Sequence, residues 1–227
     1  GYARAIDDMG VDVIQNCEVT GMLRSGGKIT GVATKRGTIR AKKVAVVTSG
    51  HTSNIMEMAG VRMPVESVCL QALVSEPIKP VIDCVVMANT VHGYMSQSDK
   101  GELVIGGGAD PYNNYSQRGS FPAIEHTVSA LVETFPIISR LRMLRQWGGI
   151  VDMTGDRSPI ISMTDVGGLY VNCGWGTGGW KSIPGSGFVF ADTIANDRPH
   201  PIAAPFGLNR FTEGRFIDES VAAAVAH

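Results

Sequence analysis

The stretch that decides the fold is Val171-Asn172-Cys173-Gly174-Trp175-Gly176-Thr177-Gly178-Gly179-Trp180-Lys181. A strand predicted over Leu169 to Asn172 runs into a glycine cluster that delivers one lysine. Glycines let the backbone approach a flat or anionic ligand and present unhindered N–H groups. A helix predicted over Ser182 to Asn196 adds the positive end of its dipole at the same place. A plain turn explains the glycines equally well, but the two tryptophans and the lysine favour a site for a large cofactor or an anion.

Length and composition bound the remaining possibilities. The 227 residues suffice for one large domain or two small ones, and a hydrophobic content of 44% supports a sizeable core. The formal net charge of −1 gives no electrostatic case for binding nucleic acid or an anionic membrane surface. No apolar run approaches the ~20 residues that span a bilayer. No signal peptide is recognisable, and the start at Gly1, without an initiator methionine, is typical of an excerpt or a processed product.

The cysteines indicate the redox environment. Cys17, Cys69, Cys84 and Cys173 are widely spaced, each in an apolar setting, and no C-x-x-C pair occurs. This spacing predicts neither a zinc site nor dithiol chemistry, and no metal site is expected. Buried free thiols in a reducing cytoplasm are the better interpretation.

The first 64 residues alternate helix and strand signals. Ser25-Gly26-Gly27 is a clear hairpin signal between two polar-apolar strands. The apolar run that follows the hairpin ends at Ser49-Gly50, where a helix begins. The predicted elements are a helix over Tyr2 to Met9, a buried strand over Val11 to Ile14, a three-stranded meander between Glu18 and Arg40, a strand over Val44 to Thr48 and a helix over Asn54 to Ala59.

From Val65 the pattern changes to successive strands with few intervening helices. Such a run predicts an antiparallel-rich unit, here residues 65–149, inserted between two parts of another domain, residues 1–64 and 150–227. The predicted strands cover Val68 to Val74, Cys84 to Met87, Val91 to Met95, Glu102 to Gly106, Arg145 to Asp152 and Ile160 to Met163, with a helix over Pro122 to Phe135 and a short one over Thr212 to Val225.

Four phrases carry a family resemblance: MGVDVIQNCEVTG from Met9, HGYMSQSDKGELVIGGGAD from His92, QWGGIVDMTGDRSPIIS from Gln146 and VNCGWGTGGWKSIPGSG from Val171. In this order they resemble the beta subunits of heterotetrameric sarcosine oxidases, in the glycine oxidase and D-amino-acid oxidase superfamily of flavoenzymes. The resemblance covers nearly the whole chain and points to the C-terminal part of such a subunit. It implies an α/β (α+β) fold, with a partial FAD-binding Rossmann-like domain and a mixed, antiparallel-rich substrate domain.

The resemblance also assigns the flavin side of the site. It implies that Lys181 receives the substrate carboxylate beside the flavin, and that the backbone N–H groups of Gly176, Thr177, Gly178 and Gly179 face the isoalloxazine. A lysine held there by a glycine turn is a desolvated point charge that attracts carboxylates. The alternatives are a surface lysine after a turn and a tight strand-to-helix connection without a ligand.

Other residues are assigned more remotely. By resemblance, Val19 binds the FAD adenine through its backbone, although core packing explains an apolar residue at a strand start. Ser49-Gly50 passes near the dinucleotide, or Ser49 or Thr52 caps the following helix. Tyr94 lines the substrate pocket, or is a cross-strand aromatic of the sheet.

The strand of the expected substrate domain that carries an oxygen-activating lysine in related monomeric enzymes lacks one here. The stretch Glu102 to Gly106 has no lysine, and the nearest, Lys100, lies in a turn. The missing lysine is consistent with a heterotetramer in which FAD passes electrons to FMN. By resemblance, this FMN is attached to a histidine that lies shortly before Gly1. The histidines present are expected in polar surface or hydrogen-bonding roles, namely His51, His92, His126, His200 and His227.

One acidic segment resembles a pair of catalytic carboxylates with a cation. Asp152, Asp156 and Arg157 lie between two predicted strands and before Ser158-Pro159. That setting is typical of a turn, and we therefore assign them a structural role.

The family reaction implied is oxidative demethylation of sarcosine to glycine by FAD, with alpha, gamma and delta subunits as partners. Another secondary or N-methyl amino acid, such as dimethylglycine or an opine, is an alternative substrate. A second alternative is a non-catalytic half-subunit that acts as a structural or interaction module. The strand, G-x-G-x-x-G turn and helix that hold the ADP part of FAD in the family are expected to be absent, so the FAD site is expected to be only partly present.

Overall fold

The computed structural model describes residues 1–88 and 93–217 of the chain. Within them the fold is a mixture of helices and strands arranged in three sheets. The helices are α1 (Tyr2–Asp8), α2 (Thr52–Glu57), α3 (Phe121–Thr134) and α4 (Gly179–Asn196). The strands are β1 (Val19–Ser25), β2 (Lys28–Thr34), β3 (Gly37–Arg40), β4 (Val44–Val46), β5 (Val65–Pro77), β6 (Val86–Ala88), β7 (Gly93–Gln97), β8 (Glu102–Ala109), β9 (Met143–Thr154), β10 (Ile160–Met163) and β11 (Leu169–Cys173). Short 3₁₀ helices cover Ser49–His51, Pro136–Arg140, Ala204–Phe206 and Leu208–Phe211.

The first sheet is the antiparallel meander β1-β2-β3. The predicted hairpin turn is present, with φ values of +57° at Gly26 and +79° at Gly27 that only glycine adopts readily. Ile29 of β2 is 2% exposed and packs into the core below the second sheet. The meander is attached to the rest of the fold through β2 and also through β1, where Met22 packs against the same cluster and Arg24 donates to the Ala59 carbonyl at 2.8 Å.

The second sheet joins distant parts of the chain. Strand β11 pairs in parallel with β4 and antiparallel with β10. Val46, Leu169 and Val171 share one core cluster with Met56 of α2. Residues on the two sides of the middle segment thus pack together, while the proposed domain boundaries at 64/65 and 149/150 stay a prediction.

The third sheet is antiparallel, in the order β6-β7-β8-β5-β9. Because side chains alternate across a strand, Leu73, Met95 and Ile105 lie on one face, where they pack with Leu131 of α3. The other face carries a cross-strand row in register, composed of Tyr94, Gly106, Ala72 and Trp147. This second face is called the Tyr94 face below.

Three expectations from the sequence are wrong in detail. No strand forms at Val11 to Ile14, where Val11, Val13 and Ile14 are 49%, 50% and 54% exposed, because no strand within the described residues pairs with them. Helix α4 starts at Gly179, three residues before its expected start, and it includes Pro184. Residues 212–217 are not helical, and the rest of the helix expected there lies outside the described residues. His92, His227 and the start of the strand expected at Val91 also lie outside the described residues.

The cysteine expectation is partly wrong as well. All four cysteines are free, but only Cys69 and Cys173 are buried, while Cys17 is partly buried and Cys84 is exposed. Cys84 lies in the connection before β6, which is an edge strand of the third sheet. Within residues 1–88 and 93–217, no helix is both long and apolar enough to cross a bilayer.

Candidate functional site

The connection from β11 to α4 is built from glycines that cannot be replaced without strain. Gly174 has a φ of +73°, and a Cβ there would lie 2.6 Å from Cγ2 of Thr154. Gly176 has a φ of +51°, and its Cβ would lie 3.0 Å from Sδ of Met153. The tight turn and the close approach to β9 therefore require glycine at both positions.

This connection corrects one expectation. Gly174, Gly176 and Gly179 follow a strand and open a helix in the spacing G-x-G-x-x-G. The expectation that the chain contains no strand, G-x-G-x-x-G turn and helix is therefore wrong as to the pattern. The dense glycine run hid the spacing, because four glycines within six residues fit several motifs at once.

The structure also narrows the set of backbone donors in this loop. The Gly176 N–H donates to the Asp152 carbonyl at 3.0 Å, and the Gly178 N–H donates to the Trp175 carbonyl at 3.0 Å. In the described part of the chain, the N–H groups of Thr177 and Gly179 have no such acceptor. The first turn of a helix leaves its N–H groups without intrahelical partners. The donors left without an acceptor in the described part of the chain therefore come from Thr177, Gly179 and the first turn of α4.

Lys181 is the third residue of α4 and is exposed. The expected desolvation of its ammonium group is absent here, because no residue of the described chain covers it. Its position beside the helix N-terminus nevertheless places a positive charge next to outward-facing N–H groups, and both attract anions. Of the neighbouring tryptophans, Trp180 is 87% exposed, whereas Trp175 donates its Nε1–H to Asn172 at 2.7 Å.

A buried carboxylate connects this loop to the other predicted cofactor turn. Asp152, near the end of β9, is 1% exposed. Its Oδ2 accepts the Gly174 N–H at 2.5 Å, and its Oδ1 accepts the hydroxyl of Ser49 at 3.2 Å. Burial raises the pKa of Asp152 above its usual range, and the bonds from Gly174, Ser49 and Gly176 oppose that rise. The sequence assigned Asp152 a structural role but did not reveal its partners, which come together only when β9, β11 and the Ser49 turn pack.

The Ser49-Gly50 turn is itself strained and tightly packed. Ser49 has a φ of +47°, which is uncommon for a residue other than glycine. A Cβ on Gly50 would lie 2.4 Å from Cγ2 of Ile150, and the Gly50 carbonyl accepts the Ser67 hydroxyl at 2.6 Å. The alternative that Ser49 or Thr52 caps α2 is wrong, because α2 has no side-chain cap and Ser49 donates to Asp152.

Tyr94 is half-buried on the Tyr94 face of the third sheet. Its ring covers Gly106, where an added Cβ would lie 2.3 Å from the Tyr94 hydroxyl oxygen. Burial raises the pKa of Tyr94. Trp147, 39% exposed, stands at the other end of the same cross-strand row, with the small residues Ala72 and Gly106 between the two rings. The row places an aromatic side chain at each end. Trp147 was missed because only the register of four strands, through Ala72 and Gly106, puts it in the same row as Tyr94.

Val19 stands apart from the other candidates. It is the first residue of β1 in the meander, opposite Thr34, with a shift in register between Val19 and Gly21. The hydrogen bonds through Asp152 link the Ser49 turn and the glycine loop, but neither Val19 nor Tyr94 belongs to that group.

Asp156 has the structural role expected for it. It forms a two-point ion pair with Arg210, with Oδ2 to Nε at 2.7 Å and Oδ1 to Nη2 at 2.9 Å, and both residues are at most 3% exposed. Burial alone would raise the pKa of Asp156, but the hydrogen bonds and charge of Arg210 outweigh it and hold the pKa below its usual range. Arg157 is exposed, with a φ of +52°. Arg210, 54 residues along the chain, gave no sequence signal of this pairing.

A cavity of about 1020 Å³ lies next to the end of β9, between residues 60–66 and residues 208–212. Its lining includes Met153, Arg62, Asp165 and Phe211, and none of the predicted site residues. Met153 also contacts the glycine loop at Gly176, so the cavity borders the loop without containing it.

Comparison with known proteins gives one family match and close relatives. The family model described as "FAD dependent oxidoreductase" matches residues 1–193. Sarcosine oxidase subunit beta of Rhodobacter capsulatus is 67% identical over 227 residues, covering all of this chain and 55% of the relative. The subunit of the same name from an Arthrobacter species is 58% identical over 226 residues, covering 56% of that protein. The one from Rhizobium meliloti is 52% identical over 219 residues, covering 53% of that protein.

Solved structures agree on the fold. L-proline dehydrogenase from P. horikoshii superposes with a TM-score of 0.86 at 24% identity, over 95% of this chain and 59% of the other. Glycine oxidase from Geobacillus kaustophilus superposes with a TM-score of 0.79 at 20% identity, over 92% of this chain and 56% of the other. The chain spans about half the length of the curated relatives it matches, and the comparisons do not support its expected placement in their C-terminal part.

Proposed function

The chain belongs to the FAD dependent oxidoreductase family, and on this premise we propose that it forms part of an enzyme that oxidatively demethylates sarcosine to glycine. The identities of 52% to 67% to three sarcosine oxidase beta subunits support the substrate. The observation that carries the proposal is the link through Asp152, which joins the two turns that the resemblance assigns to FAD.

The residues around these turns fit FAD. Gly174 and Gly176, whose Cβ positions would meet Thr154 and Met153, let the loop backbone lie close to β9. The outward N–H groups of Thr177 and Gly179 match the carbonyl oxygens of a flavin pyrimidine ring in hydrogen-bonding character. The positive end of α4 favours negative charge at the same place.

Each side chain then has a defined task. Lys181 would bind the substrate carboxylate and so place the N-methyl group toward the flavin. Tyr94 would form an apolar wall of the pocket, since it stands half-buried on an open sheet face. When bound, FAD would supply the two-electron oxidant that takes a hydride from the N-methyl carbon, and water would hydrolyse the resulting imine to formaldehyde and glycine.

A second candidate substrate is another secondary or N-methyl amino acid. The Tyr94 face favours no single substrate, because between Tyr94 and Trp147 it offers only Ala72 and Gly106, which do not distinguish small amines. Lys181 binds the carboxylate of either substrate, and the two substrates differ only in the groups that contact the Tyr94 face.

Partner subunits belong to the same proposal. The relatives are named as subunits, which supports assembly with other chains, proposed here as the alpha, gamma and delta subunits. Large apolar side chains exposed on α1, at its C-terminal end and on α4 are available for such contacts, including Tyr2 at 66%, Met9 at 80%, Trp180 at 87% and Phe188 at 70%. The proposal also includes FMN, attached to a histidine outside this sequence. It further includes a reducing cytoplasm, which is in keeping with the four free cysteines.

The test is substrate-dependent bleaching of the flavin. The protein, purified with its partner subunits, is mixed anaerobically with sarcosine, dimethylglycine or proline, and the loss of flavin absorbance is followed. We expect the largest second-order rate constant for reduction with sarcosine. A larger rate constant for another secondary amino acid would identify that compound as the substrate. An absence of flavin in the purified protein would favour the non-catalytic alternative.

A further inference from the structure

Asp152 is a buried carboxylate for which the proposed reaction has no chemical use. It is 1% exposed, and the groups that stabilise its charge are N–H and O–H donors of the chain. Its hydrogen bonds involve no cationic side chain among residues 1–88 and 93–217. Burying a carboxyl group without a cationic partner is costly, so its presence here indicates a role other than packing.

The bonds of Asp152 identify that need, because they reach two loops from separate parts of the chain. Its side chain binds the Gly174 N–H and the Ser49 hydroxyl, and its carbonyl binds the Gly176 N–H. Gly174 and Gly176 belong to the loop before α4, and Ser49 belongs to the turn before α2. Asp152 itself lies near the end of the long strand β9, a rigid element that pairs with β5 along its length.

The Ser49 turn is in a conformation that needs support from its surroundings. Ser49 has a φ of +47°, whereas glycine adopts the +73° of Gly174 readily. A non-glycine residue in that region costs of order 1–3 kcal/mol and persists only when its surroundings fix it. The Ser49 hydroxyl bond to Asp152 is one of the contacts that fix this turn.

We propose that Asp152 is a positioning residue for the cofactor: it holds the Ser49-Gly50 turn and the Gly174–Gly179 loop at the mutual distance that FAD requires. The inference rests on the proposed function, because it takes both loops as FAD contacts. Asp152 does not contact the cofactor. It acts through the backbone of Gly174 and Gly176 and through the hydroxyl of Ser49.

Two substitutions at this position separate geometry from charge. Asp152→Asn keeps a carbonyl oxygen for the Gly174 N–H, and its NH₂ group donates to the Ser49 hydroxyl, which can accept as well as donate. Asp152→Ala removes both links. Asp156→Asn is the matched control, since Asp156 is a similarly buried carboxylate of the same segment that bonds to Arg210 and to neither loop.

The experiment measures FAD affinity by fluorescence titration, the visible absorbance and circular dichroism of the bound flavin, and the melting temperature. All variants are made in the complete protein with its partner subunits. For Asp152→Ala we expect FAD affinity to fall at least about tenfold, the loss of roughly one hydrogen bond to a charged group, with a shifted flavin spectrum. Asp152→Asn should restore affinity to within about threefold of the unmodified protein. Asp156→Asn should lower the melting temperature but leave the flavin spectrum unchanged.

The contrary result is an Asp152→Ala protein with unchanged FAD affinity and an unchanged flavin spectrum, which would overturn the positioning role and leave the proposed function standing. If Asp152→Ala does not fold, Ser49→Ala is measured in its place. A loss of FAD affinity smaller than the one expected for Asp152→Ala, together with a shifted flavin spectrum, supports the proposal. Unchanged affinity and an unchanged spectrum overturn it. If the unmodified protein binds no FAD, the proposed function fails, and this inference fails with it.

Discussion

At the scale of single residues, the proposal depends most on Lys181. The residue is exposed in the first turn of α4, beside N–H groups that have no acceptor in the described chain. Its sequence neighbourhood predicted this location, because a glycine run followed by a cation at a helix start is a recognisable anion site. Its exposure could not be predicted, since burial depends on what packs over the loop.

Replacing Lys181 tests its task. In the complete protein, Lys181→Ala should lower kcat/KM for sarcosine by roughly 30-fold or more, because losing one partner of a bound charge pair costs about 2–5 kcal/mol. The measurement is the rate of flavin reduction against sarcosine concentration. Lys100→Ala, which replaces an exposed lysine in a turn, is the control and should leave kcat/KM unchanged. If the Lys181→Ala protein reduced its flavin at the rate of the unmodified protein, Lys181 would not be part of the substrate site.

A buried pair at the same scale makes a prediction about stability. Arg210→Met should lower the free energy of unfolding by about 3–5 kcal/mol, because it leaves the carboxylate of Asp156 buried and unpaired. Urea unfolding at neutral pH, compared between this variant and the exposed-residue control Arg157→Met, measures the difference.

The same pair sets a pH dependence. The folded-state pKa of Asp156 is lowered, so its stabilisation is fully present above the unfolded value of about 3.9 and is lost as the pH falls through the folded value. The gap in unfolding free energy between the unmodified protein and Arg210→Met should therefore narrow below roughly pH 4. A gap that stays constant from neutral to acidic pH would contradict this account of Asp156.

At the scale of elements, the β11–loop–α4 unit explains both what the sequence predicted and what it did not. The strand and helix were predicted from apolar runs and from the glycines between them, whereas the pairing of β11 with β4 and β10 was not. The early start of α4 and its continuation through Pro184 were not predictable from the local sequence, because proline and glycine are poor helix formers whose cost tertiary packing can offset. Likewise the links from Asp152 to Ser49 and Gly174 span 103 and 22 residues, and only the assembled sheets define them.

Two glycines of this unit provide a matched pair of substitutions. Gly174→Ala should destabilise the protein by about 1–3 kcal/mol, because alanine would adopt a φ of +73° and place its Cβ 2.6 Å from Thr154. Gly185→Ala, within α4 and with nothing within 4 Å of its Cβ position, should be neutral or stabilising by up to about 1 kcal/mol. Thermal unfolding of the two variants compares them directly. Equal effects would mean that the loop before α4 relaxes freely.

At the scale of the whole molecule, three sheets bring together residues from both ends of the sequence. A shared core for the segments on both sides of the middle segment was expected, and Val46 and Val171 do lie in one core cluster, but the parallel pairing of β4 with β11 was not predicted. The Tyr94 face, with Trp147 in register with Ala72, was not, because register across five strands is a property of the assembled sheet. The family, the fold class and the position of the glycine loop were thus predictable from local sequence, whereas the partners of Asp152, Asp156 and Tyr94 were not.

The 227-residue chain alone should bind FAD at least about a thousandfold more weakly than the complete protein, because it offers few donors to the diphosphate beyond the ring-side loop. Fluorescence titration of FAD with each protein measures the ratio. Tight binding by this chain alone would indicate that its own G-x-G-x-x-G turn, Gly174 to Gly179, serves the diphosphate.

The central claim, that FAD lies against the loop before α4, is tested most directly by a crystal structure of the complete protein with FAD and a carboxylate inhibitor bound. The account predicts a flavin pyrimidine oxygen within about 3.2 Å of the backbone nitrogen of Thr177 or Gly179, and the inhibitor carboxylate at a similar distance from Nζ of Lys181. An isoalloxazine ring placed elsewhere, for example in the cavity beside Arg62 and Phe211, with Lys181 facing solvent, would contradict it.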